Sequence, residues 1–180
     1  MSWALIIDDT VHEVFAEKPV LHPSLDLVEV ASDVEPGWRR INGVIAPPPD
    51  PTLEERRTAL IAAVGFIANR MVAEGAPYLG QRIALDEGSR ADITGMATTA
   101  VAAAGGAVPW PESYSLGWIT QANSRLALPT PADGLALAAA VGDYYARIRQ
   151  HARTLKDVLI AATDEAALHA IDITAGWPDE

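Results

Sequence analysis

The hydrophobic pattern changes period once along the chain, at a run of prolines, and the change outlines the predicted architecture. Residues 3–7 and 11–15 are apolar, β-branched stretches on either side of Asp8-Asp9-Thr10, which predicts a hairpin. Leu25-Asp26-Leu27-Val28-Glu29-Val30 alternates apolar and polar, as a half-buried strand does. Trp38 to Ile41 and Val44 to Ala46 flank Asn42-Gly43, a pair suited to a tight type I′ turn because both residues tolerate positive φ. Residues 1–46 are therefore expected to form a small antiparallel β module, too small to be strongly stable alone.

Pro47-Pro48-Pro49-Asp50-Pro51 follows, and residues 47–51 read as a stiff, extended linker because prolines fix φ and donate no ladder bonds. From 52 to 180 the pattern is mainly helical. Leu53, Leu60, Val64, Ile67 and Met71 recur at helical spacing behind a Thr52/Glu55 capping box, and Gly75 and Pro77 end the run, giving a helix over 53–74. Ile83 and Leu85 suggest a short strand, and a second helix of small residues is expected over 90–104, capped by Ser89 and ended by Gly105-Gly106. Residues 107–113, with Pro109-Trp110-Pro111, read as a non-helical crossing. A second hairpin is expected from Leu116 to Leu128, turning through Gln121-Ala122-Asn123-Ser124.

A long helix should start after Thr130, with Pro131 at its first position and Asp133 closing a capping box, and run to about Ala162. Its predicted apolar stripe is Leu135, Ala138, Tyr145, Ile148, Ala152, Leu155 and Leu159. A short helix restarts at Thr163-Asp164. The fold class is α+β: an N-terminal antiparallel β module, a proline linker, and a mainly helical domain over 52–180 with a short hairpin and a long C-terminal helix.

Composition narrows the function classes. Hydrophobic residues make up 49% of the 180, enough for a real core, and the formal charge of −11 disfavours wholesale binding to nucleic acid. The chain has no cysteine, which removes disulfides, thiolate nucleophiles and cysteine-ligated metals together. No apolar run is long enough for a membrane span, and the N-terminus lacks the basic region of a signal peptide, so a soluble protein without membrane attachment is expected.

No catalytic constellation emerges. His12, His22, His151 and His169 lack the spacing of a two-histidine zinc site, and Asp8-Asp9 with His12 is explained as well by a turn as by a metal. Ser89, Ser113, Ser115 and Ser124 sit in no nucleophile elbow. Asp86 and Glu87, read as neighbours on a strand, would point to opposite faces and make a poor acid/base pair. No enzyme activity and no cofactor are expected.

Two features suit protein contact. Arg147, Arg149, His151, Arg153 and Lys156 gather positive charge late in the long helix; a solvated face paired with Asp143 and Asp157 explains it, and so would a docking patch for an acidic surface. Trp3, Trp38, Trp110, Trp118 and Trp177 all lie in short β or irregular segments. Core anchoring is the default for tryptophan, but segments with little core of their own raise the case for partner contacts. The residues singled out for partner binding are Trp38, Trp110, Trp118, Trp177, Arg147, Arg153 and Leu155. The last belongs to the far end of the long stripe, where Ile148, Leu155 and Leu159 could meet a second copy, with Asp164-Glu165 or Asp179-Glu180 of the neighbour opposite the basic groups.

Trp3-Ala4-Leu5-Ile6, His22-Pro23-Ser24-Leu25, Pro36-Gly37-Trp38 and the proline linker resemble the start of small proteins encoded beside phage tail-fibre genes. Residues 80–128, with Gly117-Trp118-Ile119-Thr120-Gln121-Ala122-Asn123-Ser124, and the end, with Ala152-Arg153-Thr154-Leu155-Lys156-Asp157 and Gly176-Trp177-Pro178, resemble an uncharacterised domain recurring in phage tail-fibre and fibre-assembly proteins. The resemblance implies a tail-fibre assembly chaperone or adaptor, whose partner is a tail-fibre or baseplate protein, acting in the host cytoplasm during assembly. The alternatives are a structural component of the virion tail and, more remotely, a glycan-degrading tail enzyme, which would need a carboxylate pair near Trp110 or Trp118.

Overall fold

A computed structural model describes residues 1–178. The chain divides into two compact units, one of residues Met1–Thr52 and one beginning at Leu53.

The first unit is an antiparallel sheet of five strands: β1 (Ser2–Ile7), β2 (Thr10–Phe15), β3 (Asp26–Val30), β4 (Arg39–Ile41) and β5 (Val44–Ala46), in the order β3-β1-β2-β4-β5. Its two tight turns use residues able to take positive φ: Asp8 and Asp9 at 49° and 56°, and Asn42 and Gly43 at 51° and 83°. A bulge between Leu5 and Ile6 breaks the β1–β2 register. The core is small: Ala4, Ile6, Val11, Val30 and Val34, with Val14, Val28, Trp38 and Ile45 packed against it. Arg40 ties three strands or turns together, bonding Asp26 at 2.6 Å and Asp9 at 3.0 Å. These two carboxylates, Asp26 first, hold its guanidinium above its ordinary pKa. Asp9 is thereby an ion-pair partner of Arg40.

The second unit contains α1 (Leu53–Glu74), a hairpin of β6 (Ala76–Tyr78) and β7 (Gln81–Ile83), α2 (Glu87–Ala104), the single turn α3 (Glu112–Ser115), a hairpin of β8 (Trp118–Ile119) and β9 (Arg125–Leu126), α4 (Pro131–Ala161) and α5 (Glu165–His169). Gly75 ends α1 at φ +80°, where a Cβ would lie 2.6 Å from the Ile83 carbonyl oxygen, so the chain can reverse there only as glycine. The β6–β7 hairpin was not foreseen; it turns through Leu79 and Gly80, both at positive φ. The crossing at 107–113 is shorter than expected, because α3 begins directly after Pro111.

The long helix α4 is the backbone of this unit and packs against α1, α2 and β6. Its start is as predicted: Thr130 and Asp133 form a reciprocal capping box with Pro131 at the first position. Its buried line is Gly134, Leu137, Val141, Tyr144, Ile148, Ala152, Leu155 and Leu159, three or four residues apart throughout. The expected Leu135, Ala138 and Tyr145 are only half-buried beside it. This line joins Val64, Ala68, Ile83, Leu85, Ile93, Met96, Leu128 and Leu168 in one core.

That packing corrects one expectation. Ile148 and Leu159 are fully buried and Leu155 is 9% exposed, all within the chain's own core, so these three side chains do not supply a face for a second copy. Glu165, offered as part of an acidic target, lies 3.4 Å from Arg56 of the same chain, and Asp179-Glu180 lies outside the described residues. Among the described residues no helix is long and apolar enough to cross a membrane.

Candidate binding surfaces

A groove of about 700 Å³ opens on the second unit. One wall comes from the start of α2. The Asp86 carboxylate accepts from the Ser89 amide at 3.0 Å and the Ser89 hydroxyl at 2.6 Å, capping the helix. Asp86, and not Ser89, is thus the cap residue, and the helix starts three residues earlier than expected. From that start, Ser89, Asp92 and Gly95 fall along one side of α2 and line the groove with Ala84 and Ala91. The other wall is Ser113 and Tyr114 of α3 with Gly117, Trp118, Ile119 and Thr120.

This second wall is tied down from behind. Gly117, at φ +110°, lies so close to the β9 backbone that a Cβ would meet Leu126 O at 2.8 Å. Thr120 is buried and its hydroxyl lies 2.7 Å from that of Ser124, which donates in turn to Gln81 Oε1 at 3.0 Å. Gln121 donates through its amide to Arg82 O at 2.9 Å and through its side chain to Ala73 O at 3.0 Å. Tyr114 stacks on Trp110 with centroids 5.0 Å apart, and the Trp110 indole donates to Leu128 O at 2.9 Å. Two short segments with almost no regular structure are thereby held rigid, the condition for a preorganised site.

Trp110 is wedged against α4, where a Cβ on Gly134 would lie 2.9 Å from its Cη2. Alanine at a helical position normally gains up to about 1 kcal/mol over glycine. Here the indole is held at its N–H and stacked on its face, so it has little room to yield. Gly134→Ala should therefore lower the stability of the second unit by about 1–3 kcal/mol, as overpacking does. An unchanged or raised unfolding midpoint in urea would show that Trp110 is free to move.

The Asp86 cap has a pH signature. The Ser89 hydroxyl and amide hold this carboxyl below its ordinary value of 3.8. A depressed folded pKa means stabilisation present above 3.8 and lost as pH falls through the lower folded value. Asp172, held down by Thr174, acts in the same direction. Asp86→Asn keeps a capping oxygen but no titrating group, so its melting temperature should fall less steeply than wild type between about pH 4 and pH 2. Parallel melting curves would rule out this contribution.

The groove lining carries one carboxylate, Asp92, and no Lys, Arg or His among the described residues. A serine nucleophile there has no imidazole beside it, and the Ser89 hydroxyl is engaged by Asp86. Glycoside hydrolysis uses two carboxylates flanking the bond, and the described lining supplies one. Among the described residues no group of three or more His, Asp and Glu is placed to hold a metal ion.

The residues singled out from sequence separate into several places. Trp118 lines the groove, and Trp110 supports it through Tyr114. Trp177 and Arg147 come together in a smaller groove of about 410 Å³ with Gln150, His151 and Thr154. There the Trp177 indole donates to Ile173 O at 2.9 Å and its ring meets His151 edge-on at 4.8 Å, while Ala175 O lies 2.9 Å from His151 Nε2. Arg147 pairs with Asp143 at 3.1 Å and Arg153 with Asp157 at 2.8 Å, both at (i, i+4) spacing on exposed helix surface. Trp38 packs against the small core of the first unit. Leu155 is a core residue, which removes it from the partner-binding set. Asp86 and Glu87 are a helix cap and first helical residue, not strand neighbours.

Sequence reasoning missed Tyr114 and Asp92, and weighed Ser113 only as a nucleophile. The first unit also carries surface that the sequence did not single out. Ile41 and Val44 face each other across the β4–β5 ladder and are 56% and 66% exposed, and Val20, Leu21 and Leu25 are exposed in the segment between β2 and β3.

Comparison of the chain with curated proteins gives no match. A family model described as a domain of unknown function, DUF4376, matches residues 55–175, which is more than half of the chain and lies within the second unit. The chain belongs to the DUF4376 domain family.

Proposed function

We propose that this chain is a protein-binding module of a bacteriophage tail, acting as an assembly chaperone or adaptor for a tail-fibre or baseplate protein. The observation that carries the binding role is the imbalance in the first unit. Its core holds a handful of aliphatic side chains, while Ile41, Val44, Val20, Leu21 and Leu25 stand in solvent. Single exposed apolar residues are ordinary, but a sheet of about fifty residues that leaves this many outside gains stability when a partner covers them. The tail setting is supported by the resemblance of Trp3-Ala4-Leu5-Ile6, Pro36-Gly37-Trp38 and the proline linker to proteins encoded beside tail-fibre genes.

The reading is tested by co-expressing the chain with a tail-fibre protein from the same genome. The fibre protein should be recovered soluble and correctly assembled only with the chain present, and purified virions should lack the chain. Presence in virions at fixed stoichiometry would make it a structural tail component instead. Fibre assembly that proceeds equally well without it would overturn the chaperone role.

A further inference from the structure

We infer that the groove between α2, α3 and β8 is a binding site for a neutral saccharide, held without being cleaved. The inference stands on the second unit alone and is independent of the assembly role.

Three properties of the groove select the ligand class. The first is charge: Asp92 is the one ionisable side chain in the described lining other than the Tyr114 phenol. Phosphates, sulfates and acidic sugars would meet repulsion with no cation to offset it, so the ligand carries no negative charge. The second is hydrogen-bonding capacity that the chain itself leaves open to solvent. Asp92 and the Ser113 hydroxyl have no side-chain partner among the described residues, nor has the Trp118 indole N–H, whereas the indoles of Trp110 and Trp177 both donate within the chain. A ligand rich in hydroxyls can donate to the carboxylate and accept from the indole and phenol, each exchange being strongest where one side is charged.

The third property is the pairing of aromatic and small residues. Tyr114 and Trp118 line one wall, and Ala84, Ala91 and Gly95 leave room on the other. Aromatic faces are negative at the centre and attract the weakly positive C–H faces of a pyranose ring. A volume of about 700 Å³ has the size of a typical small-ligand site and accommodates a short oligosaccharide. The rigid backing of the aromatic wall, through Leu126, Ser124, Gln121 and Trp110, limits the ordering cost on binding. A single carboxylate orients sugar hydroxyls but lacks the second group that cleavage needs.

The test is titration of the full chain with maltohexaose, cellohexaose and chitohexaose, followed by tryptophan fluorescence and by saturation-transfer NMR on the sugar. At least one should bind reversibly and be recovered uncut. Asp92→Ala, which removes an exposed carboxylate, and Trp118→Phe, which removes the indole N–H together with part of the aromatic surface, should each weaken it about tenfold or more, at least the effect of losing one good hydrogen bond. Trp38→Phe, in the other unit, should leave it unchanged. No binding of any of the three at about 10 mM, a concentration that detects even weak sites, overturns the proposal. So does binding that ignores both groove substitutions, binding of polygalacturonate in preference to the neutral sugars, or release of shortened oligosaccharide.

Discussion

Leu155→Asp should unfold the second unit and not merely alter its association. The side chain is 9% exposed and lies in the same core as Ile148, Leu159 and Val64. Removing a buried leucine costs about 2–5 kcal/mol through lost burial and the cavity left behind. Aspartate adds a polar group that must be desolvated or protonated there, at a further cost of several kcal/mol. Domains of this size are stable by about 5–15 kcal/mol, so the sum removes most or all of it. The variant should lose its near-ultraviolet circular dichroism and its cooperative melting at 20 °C or below. A folded variant with an unchanged midpoint and a smaller sedimentation coefficient would mean instead that Leu155 sits at an interface between copies.

Arg57 should be the polar residue to which the second unit is most sensitive. Its Nη2 donates to Ala162 O at 2.8 Å and its Nε to Leu159 O at 3.2 Å, with Glu54 on the remaining nitrogen. The guanidinium therefore satisfies carbonyls at the C-terminal end of α4, where positive charge also suits the helix dipole, and it fastens the start of α1 to that end. The side chain is 17% exposed, so water replaces these bonds poorly. Arg57→Met keeps most of the volume and should cost about 2–3 kcal/mol, the scale of hydrogen bonds to a charged group. Arg57→Lys should recover less than half, because a single ammonium cannot reproduce the fork. Urea unfolding of the three proteins decides it: equal midpoints for wild type and Arg57→Met would show that the carbonyls are satisfied by water.

Much of the fold was legible because particular residue types have few uses. Asn42-Gly43 between apolar runs had little option but a tight turn, and Thr130-Pro131 with Asp133 marked a helix start that the structure reproduces. The β6–β7 hairpin was not, since its turn places Leu79 at φ 47°, a conformation leucine rarely signals, and its strands are three residues long. In α4 the C-terminal half of the stripe was read in phase, and the N-terminal half was read one residue off. Alanines on every side of residues 136–140 blur which face is apolar. Asp86 and Ser89 are both good caps, and only the hydrogen bond between them tells which one caps.

The groove was legible in one residue, Trp118. Its other members come from a helix start, a single helical turn and a two-residue strand, elements too short or too far apart for their sequence spacing to show that they meet. Trp110 and Tyr114, four residues apart across Pro111, were the available signal, because the turn that starts after Pro111 brings Tyr114 back onto the Trp110 ring.

The protein-binding role rests most directly on the exposed Ile41 and Val44 pair. Affinity capture of the purified fibre protein by the full chain, compared with Ile41→Glu/Val44→Glu, tests it without disturbing the core, since both side chains are more than half exposed. Wild type should retain the fibre protein, and the double variant, with circular dichroism unchanged, should lose it, because two charges would replace apolar contact area at the interface. Equal retention by a folded double variant, or no retention by wild type, would contradict the account.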